Sequence, residues 1–276
     1  MRVRPLAVAR LSAYAALTAL LLPAQIVLRA FGPRWAHRLP VFYHALCCRI
    51  VGLRVRVSGR PADGAALLAA NHGSYLDISV LGGLVPAAFV AKAEVRRWPV
   101  YGYLADLQRT VFAERTRAGT GRGRDATRER LLAGERVVLF PEGTSSDGQR
   151  VLPFKSGYFE AARGDGARIA VQPVSIAYTK LNGLPICQHS RPSIAWYGAM
   201  ELAPHILAMV GLGRIDVEVR FHPPVFADDF PDRKALAAYC HAVVADGVAA
   251  HMSAPIPVLI GEESDELALA DVGVWD

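Results

Sequence analysis

An α/β domain behind an apolar N-terminal helical hairpin is the architecture this sequence predicts, and three observations predict it. From residue 65 onward, short apolar runs of strand length alternate with stretches of helical period. Ahead of them, residues 11–28 (LSAYAALTALLLPAQIVL) carry no charge, which is near the shortest length that spans a bilayer as a helix. The formal charge of +6 is unevenly divided, with +10 in residues 1–60, +2 in 61–261 and −6 in 262–276. The 276 residues suffice for a substantial core. A mean hydropathy of +0.23 excludes a disordered chain.

Residues 1–55 form the N-terminal unit. Its first helix, 11–28, is weakened near its end by Pro23 and Gln25. A second segment, Trp35 to Leu53, mixes apolar residues with Arg38, His44 and Arg49, the composition of a helix lying in a membrane interface with its Arg side chains snorkelling. Arg2, Arg4 and Arg10 precede the first helix and Arg29, Arg34 and Arg38 follow it, so charge gives no crossing direction. A monotopic or single-hairpin anchor that returns to the cytoplasmic face fits this symmetry. A cleaved signal peptide is the alternative, with Arg2 and Arg4 as its basic start.

The domain proper spans 56–255. Ala65–Ala70 reads as a buried strand, Tyr75–Leu84 as a helix, Ala87–Ala91 as a strand and Val95–Leu104 as a helix. Thr110–Ala113 is a strand. Asp125–Ala133 is a helix with Asp125 as N-cap and Gly134 at its C-terminal end. The β-branched run Val137–Phe140 reads as a strand buried on both faces. Ser156–Arg163 follows as a helix, then strands at Ile169–Ala177, Ile194–Tyr197 and Ile215–Phe221, and a closing helix Lys234–His251. Residues 256–276 read as an acidic C-terminal tail. Cys47, Cys48, Cys187 and Cys240 show no C-x-x-C spacing and read as buried free thiols of a reducing compartment.

Several function classes drop out. There is no H-E-x-x-H, no Walker A and no G-x-S-x-G, and the GTGRGR at 119–124 does not match a dinucleotide fingerprint. His44, His205, His222 and His241 lack ligand spacing and read as structural or surface residues, so no metal and no cofactor is expected. Nucleic acid is not an expected partner, because the basic excess belongs to the N-terminus rather than to a face of the domain. A basic, acid-free N-terminus fits an anionic lipid surface instead.

Two segments carry chemistry. Asn71-His72-Gly73-Ser74-Tyr75-Leu76-Asp77 leaves a buried strand and opens a helix, at the strand end where α/β proteins place their sites. A His near the helix start and an acid five residues on can meet across one turn. That pairing fixes the imidazole tautomer and leaves its other nitrogen as a base. Phe140-Pro141-Glu142-Gly143-Thr144-Ser145-Ser146-Asp147-Gly148 also leaves a strand end, and Gly143, Thr144 and Ser145 can present N–H and hydroxyl groups to a polar ligand. The Arg-rich run Arg115, Arg117, Arg122, Arg124, Arg128 and Arg130 reads either as a solvated helix and loop or as a dock for an acidic protein partner.

Jointly these segments resemble the glycerolipid acyltransferase family. His72 and Asp77 fit its His-x4-Asp motif inside an N-H-x-S-x-x-D frame. Lys92, Glu94, Pro99 and Gly102, then Val111 to Arg115, resemble its second block, Phe140 to Thr144 its third, and Ile169 to Val174, with Pro173, its fourth. The resemblance covers about residues 50–225. It departs where Ser145 stands in place of the Arg usual after the Thr, and where Glu114 replaces an Asp. The string from Thr144 to Lys155, together with Ala195–Gly198 and Phe221–Pro224, looks most like the branch that O-acylates lyso-ornithine lipid.

The resemblance implies a central mixed sheet flanked by helices and an N-terminal hairpin held at the cytoplasmic face of a bacterial inner membrane. It implies His72 as base and Asp77 as its orienting acid. Asn71, Ser74, Lys92, Arg115, Glu142, Gly143, Thr144 and Ser145 are the implied substrate contacts. The donor would be an acyl carrier protein or acyl-CoA thioester and the acceptor a membrane lysolipid. That acceptor is lyso-ornithine lipid, with 1-acylglycerol 3-phosphate as runner-up, since losing an Arg removes a bidentate phosphate ligand. A non-catalytic, basic lipid- or nucleic-acid-binding protein is the reading from another class.

Overall fold

The computed structural model describes residues 4–114, 116–164, 166 and 168–252, so Arg115 and the 256–276 tail lie outside the described residues. The chain begins with α1 (Pro5–Phe31), which runs unbroken through Pro23. It turns through α2 (Pro33–Ala36) into α3 (Leu39–Val51). Each of these helices has a Pro in its first turn, where a missing N–H leaves no intrahelical bond unmade. Gly52 ends α3 in the left-handed region at φ +88, so Leu53 opens a strand instead of extending the predicted helix. At 27 residues α1 is long and apolar enough to cross a membrane.

The hairpin is fastened at several points. Thr18 Oγ1 meets the Tyr43 hydroxyl at 3.0 Å, and the Gln25 amide donates to the Ala36 carbonyl at 3.0 Å. At the other end of α1, the Arg10 guanidinium donates to the carbonyls of Val210 (3.1 Å) and Leu212 (2.6 Å). Arg4 donates to Gly211 at 3.2 Å. Those carbonyls follow a helix of the domain, so α1 is docked onto it.

Among the described residues, nine strands form one mixed sheet: β1 (Leu53–Ser58), β2 (Ala66–Ala70), β3 (Ala87–Lys92), β4 (Val111–Ala113), β5 (Arg136–Leu139), β6 (Ala170–Leu181), β7 (Leu184–Pro185), β8 (Ile215–Phe221) and β9 (Val225–Phe226). The order is β1-β8-β6-β2-β5-β3-β4, with β7 and β9 also paired to β6. β2 runs parallel to both its neighbours, β5 and β6, whereas β6 and β8 are antiparallel. The helices are α4 (Leu76–Gly82), α5 (Tyr101–Leu107), α6 (Arg117–Leu132), α7 (Leu202–Met209) and α8 (Arg233–Met252).

The core divides by the pleat of β2. Ala66, Leu68 and Ala70 face one apolar layer with Leu76, Leu81, Phe89 and Met209. Leu67 and Ala69 face the other, with Leu131, Phe159, Leu236 and Cys240. This explains why β2 is apolar at every position rather than at alternate ones. α8 also has the length and apolarity of a membrane span, but its Leu236, Ala237, Cys240, Val244 and Val248 are core residues.

Four sequence expectations change. Ile194–Tyr197 is not a strand: a 3-10 turn at Arg191–Ser193 precedes it, and its backbone bonds outward to another loop. Asp125, the predicted N-cap, lies inside α6, which starts at Arg117 with Thr116 Oγ1 accepting from the Gly119 amide at 3.0 Å. The glycines of that helix fit close approaches: a Cβ at Gly119 would lie 2.4 Å from Glu114 Cβ, and one at Gly123 2.3 Å from the Tyr158 hydroxyl. Val95–Leu104 is split into a 3-10 turn, Ala93–Arg97, and α5. Cys47, Cys48 and Cys240 are buried and free, but Cys187 is exposed. In the basic run, Arg122 pairs with Glu114 and Arg124 with Asp125.

Arg10, with the Val210 and Leu212 carbonyls on one guanidinium nitrogen, is a principal contact by which α1 docks onto the domain. Arg10→Met is expected to lower stability by about 2 kcal/mol, since hydrogen bonds from a charged donor are lost. Thermal unfolding in detergent measures it, and an unchanged Tm would refute the assignment.

Candidate active site

The parallel register sets the two motif segments side by side. Ala69 of β2 is opposite Leu139 of β5, so both chains leave the sheet at the same edge and His72 comes to lie beside Phe140 to Glu142. On the other side of β2, Ala70 is opposite Val174 of β6. β6 continues to Leu181 and overhangs the end of β2. The site is built in that overhang.

His72 Nδ1 lies 2.9 Å from Asp77 Oδ2. The same oxygen accepts from the Gly73 and Ser74 backbone amides at 2.9 and 3.0 Å. Asp77 Oδ1 accepts from the Tyr178 hydroxyl at 2.7 Å. These donors take the place of water around a side chain with 0% exposure. This side chain fixes the His72 tautomer: Nδ1 carries the proton donated to Asp77, and Nε2 is left with its lone pair. His72 keeps 19% exposure and stacks on Phe140, ring centroids 4.2 Å apart, which holds its second face. Burial and the neighbouring Asp77 charge push the Tyr178 hydroxyl well above the usual phenol range, so it remains a donor.

Glu142 is buried and braces the loops. Its Oε1 accepts from the His72 amide at 2.7 Å and its Oε2 from the Leu152 amide at 3.0 Å. Burial pushes its carboxyl up from 4.5 to about 7, with the two amide donors pulling the other way. The Ser146 amide donates to the His72 carbonyl at 2.8 Å and the Trp196 amide to the Gly73 carbonyl at 3.0 Å. A Cβ at Gly73 would meet Gly148 Cα at 3.6 Å, so the 146–148 segment runs directly beside the motif.

The expected substrate contacts divide into three groups. Asn71 and Ser74 are buried, and their polar atoms bond within the protein. The Asn71 amide brackets Ile176 of β6, donating to its carbonyl at 2.9 Å and accepting from its N–H at 2.8 Å. Ser74 Oγ donates to the Ile194 carbonyl at 2.8 Å. These two act as positioning residues, as does Glu142. Gly143, at φ +69, and Thr144 are exposed at the loop, and Ser145 is half-buried. A Cβ on Gly143 would lie 2.8 Å from Lys155 Nζ, so the glycine lets that ammonium approach the loop. Lys92 ends β3, two strands from His72, and Arg115 lies outside the described residues. Tyr178, Phe140 and the Ile194–Trp196 segment complete the geometry. Among the described residues no three His, Cys, Asp or Glu side chains are grouped to hold a metal ion.

Next to the site lies an apolar cavity of about 250 Å³. Leu11, Tyr14 and Leu22 of α1 wall it on one side, and Leu76, Ile78 and Phe89 of the domain on the other. Phe89 stacks on Phe140 at 6.4 Å between centroids, which links the cavity wall to the ring beneath His72.

The chain is similar to several known proteins. A family model described as Acyltransferase matches residues 54–177. Over 233 residues the chain is 47% identical to the lyso-ornithine lipid O-acyltransferase of Brucella abortus, covering 82% of this chain and 87% of that protein. It is 40% identical over 224 residues to the lyso-ornithine lipid O-acyltransferase of Rhizobium meliloti, covering 79% and 77%. The crystal structure of the 1-acyl-sn-glycerophosphate acyltransferase of Thermotoga maritima superposes with a TM-score of 0.63 at 24% identity, covering 87% of this chain and 93% of that one. That likeness shows the fold.

Two outcomes test the geometry. Tyr178→Phe withdraws one donor from a buried carboxylate, and turnover is expected to fall about 10- to 100-fold with the fold retained. Steady-state kinetics beside circular dichroism measures this, and full activity would remove Tyr178 from the site. The second concerns Glu142, whose folded value of about 7 lies above its ordinary 4.5. Its contribution to stability is therefore complete below pH 4.5 and is lost as pH rises through 7. Wild-type Tm should fall more steeply than that of Glu142→Gln between about pH 5 and about pH 8, and parallel curves would contradict the assignment.

Proposed function

Because this chain belongs to the acyltransferase family, we propose that it is a membrane-associated O-acyltransferase moving an acyl chain from an acyl carrier protein or acyl-CoA thioester to the hydroxyl of a lysolipid, with lyso-ornithine lipid as the acceptor. The observation that carries this reading is the His72–Asp77 pair beside an apolar cavity: a base with a fixed tautomer, adjoining space for a hydrocarbon chain.

The chemistry follows from that pair. His72 Nε2 takes the proton of the acceptor hydroxyl as its oxygen attacks the thioester carbonyl. The positive charge formed on the ring is stabilised by Asp77, held on Nδ1 at 2.9 Å. The carbon–sulfur bond then breaks, the thiolate leaves with the proton from Nε2, and the new ester remains on the lipid. The thioester is already activated, so no covalent enzyme intermediate is required. Thr144, Ser145 and Gly143 would face the acceptor head group, with Glu142 holding their loop against the His72 backbone. Lys92 and Arg115 would serve anionic groups of the substrates.

The acceptor assignment is supported by two relatives, 47% and 40% identical, that carry that name. Residue chemistry points the same way. Ser145 offers a hydroxyl where an Arg would suit a phosphomonoester, and Asp147 stands in the same loop. A head group with a carboxylate and amines is compatible with both. The working site would be the cytoplasmic face of a bacterial inner membrane, where both thioesters are available.

Purified protein incubated with each thioester, against lyso-ornithine lipid and lysophosphatidate, is expected to form ornithine lipid as the main product by mass spectrometry. Preference for lysophosphatidate would overturn the acceptor. His72→Ala is expected to abolish transfer, a fall of at least about 1,000-fold, in a folded protein. Substantial remaining turnover would refute the assigned base.

A further inference from the structure

We propose that the segment Trp98–Tyr103 is a second membrane-contacting surface, a wedge by which the catalytic domain itself enters the anionic bilayer beside α1 and over the apolar cavity. It rests on the membrane association read above and assigns it a further contact.

The turn is held in an unusual conformation. Val100 has φ +65 and ψ −55, and the Tyr101 amide donates to the Pro99 carbonyl at 2.7 Å. That is a γ-turn of the rare positive-φ kind, strained for any side chain and most for a β-branched one. It is enforced from both sides. Pro99 fixes the torsion before it. Gly102 lets α5 close onto the preceding turn, where a Cβ would lie 2.1 Å from the Arg96 carbonyl. The result of this strain is to present Val100 outward, 65% exposed. Trp98, Tyr101 and Tyr103 are exposed around it. Single exposed apolar residues are ordinary, but four large ones within six positions form a patch.

What covers the patch is indicated by its neighbours. Arg29 of α1 donates to the Asp106 carbonyl of α5 at 2.6 Å, so the segment adjoins the C-terminal half of α1, where Val27 and Phe31 are also exposed. Arg29 ties the two apolar surfaces together through α5. Arg29, Arg96 and Arg97 frame them, with Asp106 the acid between Arg29 and Arg96. Trp and Tyr in an apolar tip framed by Arg is the composition of a segment seated at head-group depth in an anionic bilayer. From the inner side, Trp98, Tyr101 and Leu104 line the cavity. Lipid against the outer side of the wedge would stand one layer of side chains from that space.

The test uses the full chain with Cys187→Ser and Val100→Cys carrying an environment-sensitive fluorophore. The same label at Tyr239→Cys on α8 is the control. Both are mixed with vesicles of phosphatidylethanolamine and phosphatidylglycerol, some with brominated acyl chains. The label at 100 should shift to the blue and be quenched by bromine, and the label at 239 should do neither. Val100→Asp should weaken vesicle affinity about tenfold. Val100→Gly, which relieves the backbone, should match or exceed the wild-type Tm while binding vesicles less tightly. Vesicle binding with a water-like label at 100 would overturn the wedge and leave membrane association standing. Failure of the full chain to bind vesicles would overturn both.

Discussion

A carboxylate without access to water sits at the centre of this structure. Asp77 has one His, two backbone amides and one phenol as its partners. Unpaired, such a charge would be expelled or protonated. These partners satisfy both of its oxygens, and each is thereby fixed in position. The turn from β2 into α4 closes around it through Gly73 and Ser74. β6 must reach past β2 to deliver Tyr178. His72 is left with one tautomer and one free nitrogen. The site is a by-product of satisfying one buried charge.

That requirement explains the lengths of the strands. β2 has five residues and β6 twelve, although they pair in parallel. Between the end of β2 and the short strand β7, which pairs with Lys180 and Leu181, the surplus of β6 is met by side chains: Asn71 brackets Ile176 and Asp77 receives Tyr178. Glu142 does the corresponding work on the β5 side, joining the His72 backbone to Leu152. Two other loops, the one after β5 and the Ile194–Trp196 segment, are thus referenced to one backbone segment, His72–Ser74.

Much of this was legible in the sequence, for reasons that mark where legibility stops. The strand-end position of His72 and the five-residue spacing to Asp77 are local and could be read directly. Tyr178 could not be, because it lies one residue beyond the predicted strand end at Ala177 and its partner is 101 residues away. Nothing local distinguishes it from a core tyrosine. Asn71 and Ser74 have the side chains of ligand-binding residues, but their partners are backbone groups of Ile176 and Ile194, supplied by tertiary structure. The alternation Leu53-Arg54-Val55-Arg56-Val57 is a strand signature with charged residues on an edge. It was obscured by the apolar helix running into it, and only the positive φ of Gly52 separates the two.

The cavity wall has a consequence for how the chain can vary. Composition marks α1 as a helix apolar on all sides, yet Leu11, Tyr14 and Leu22 form an inner lining opposite Leu76 and Ile78. Volume gained on one side of that wall must be yielded on the other if a hydrocarbon chain of given length is to fit. α1 is therefore half of a mould, and its inward residues should covary across relatives with those of α4 while its outward residues drift more freely. Deleting α1 would remove one face of that cavity.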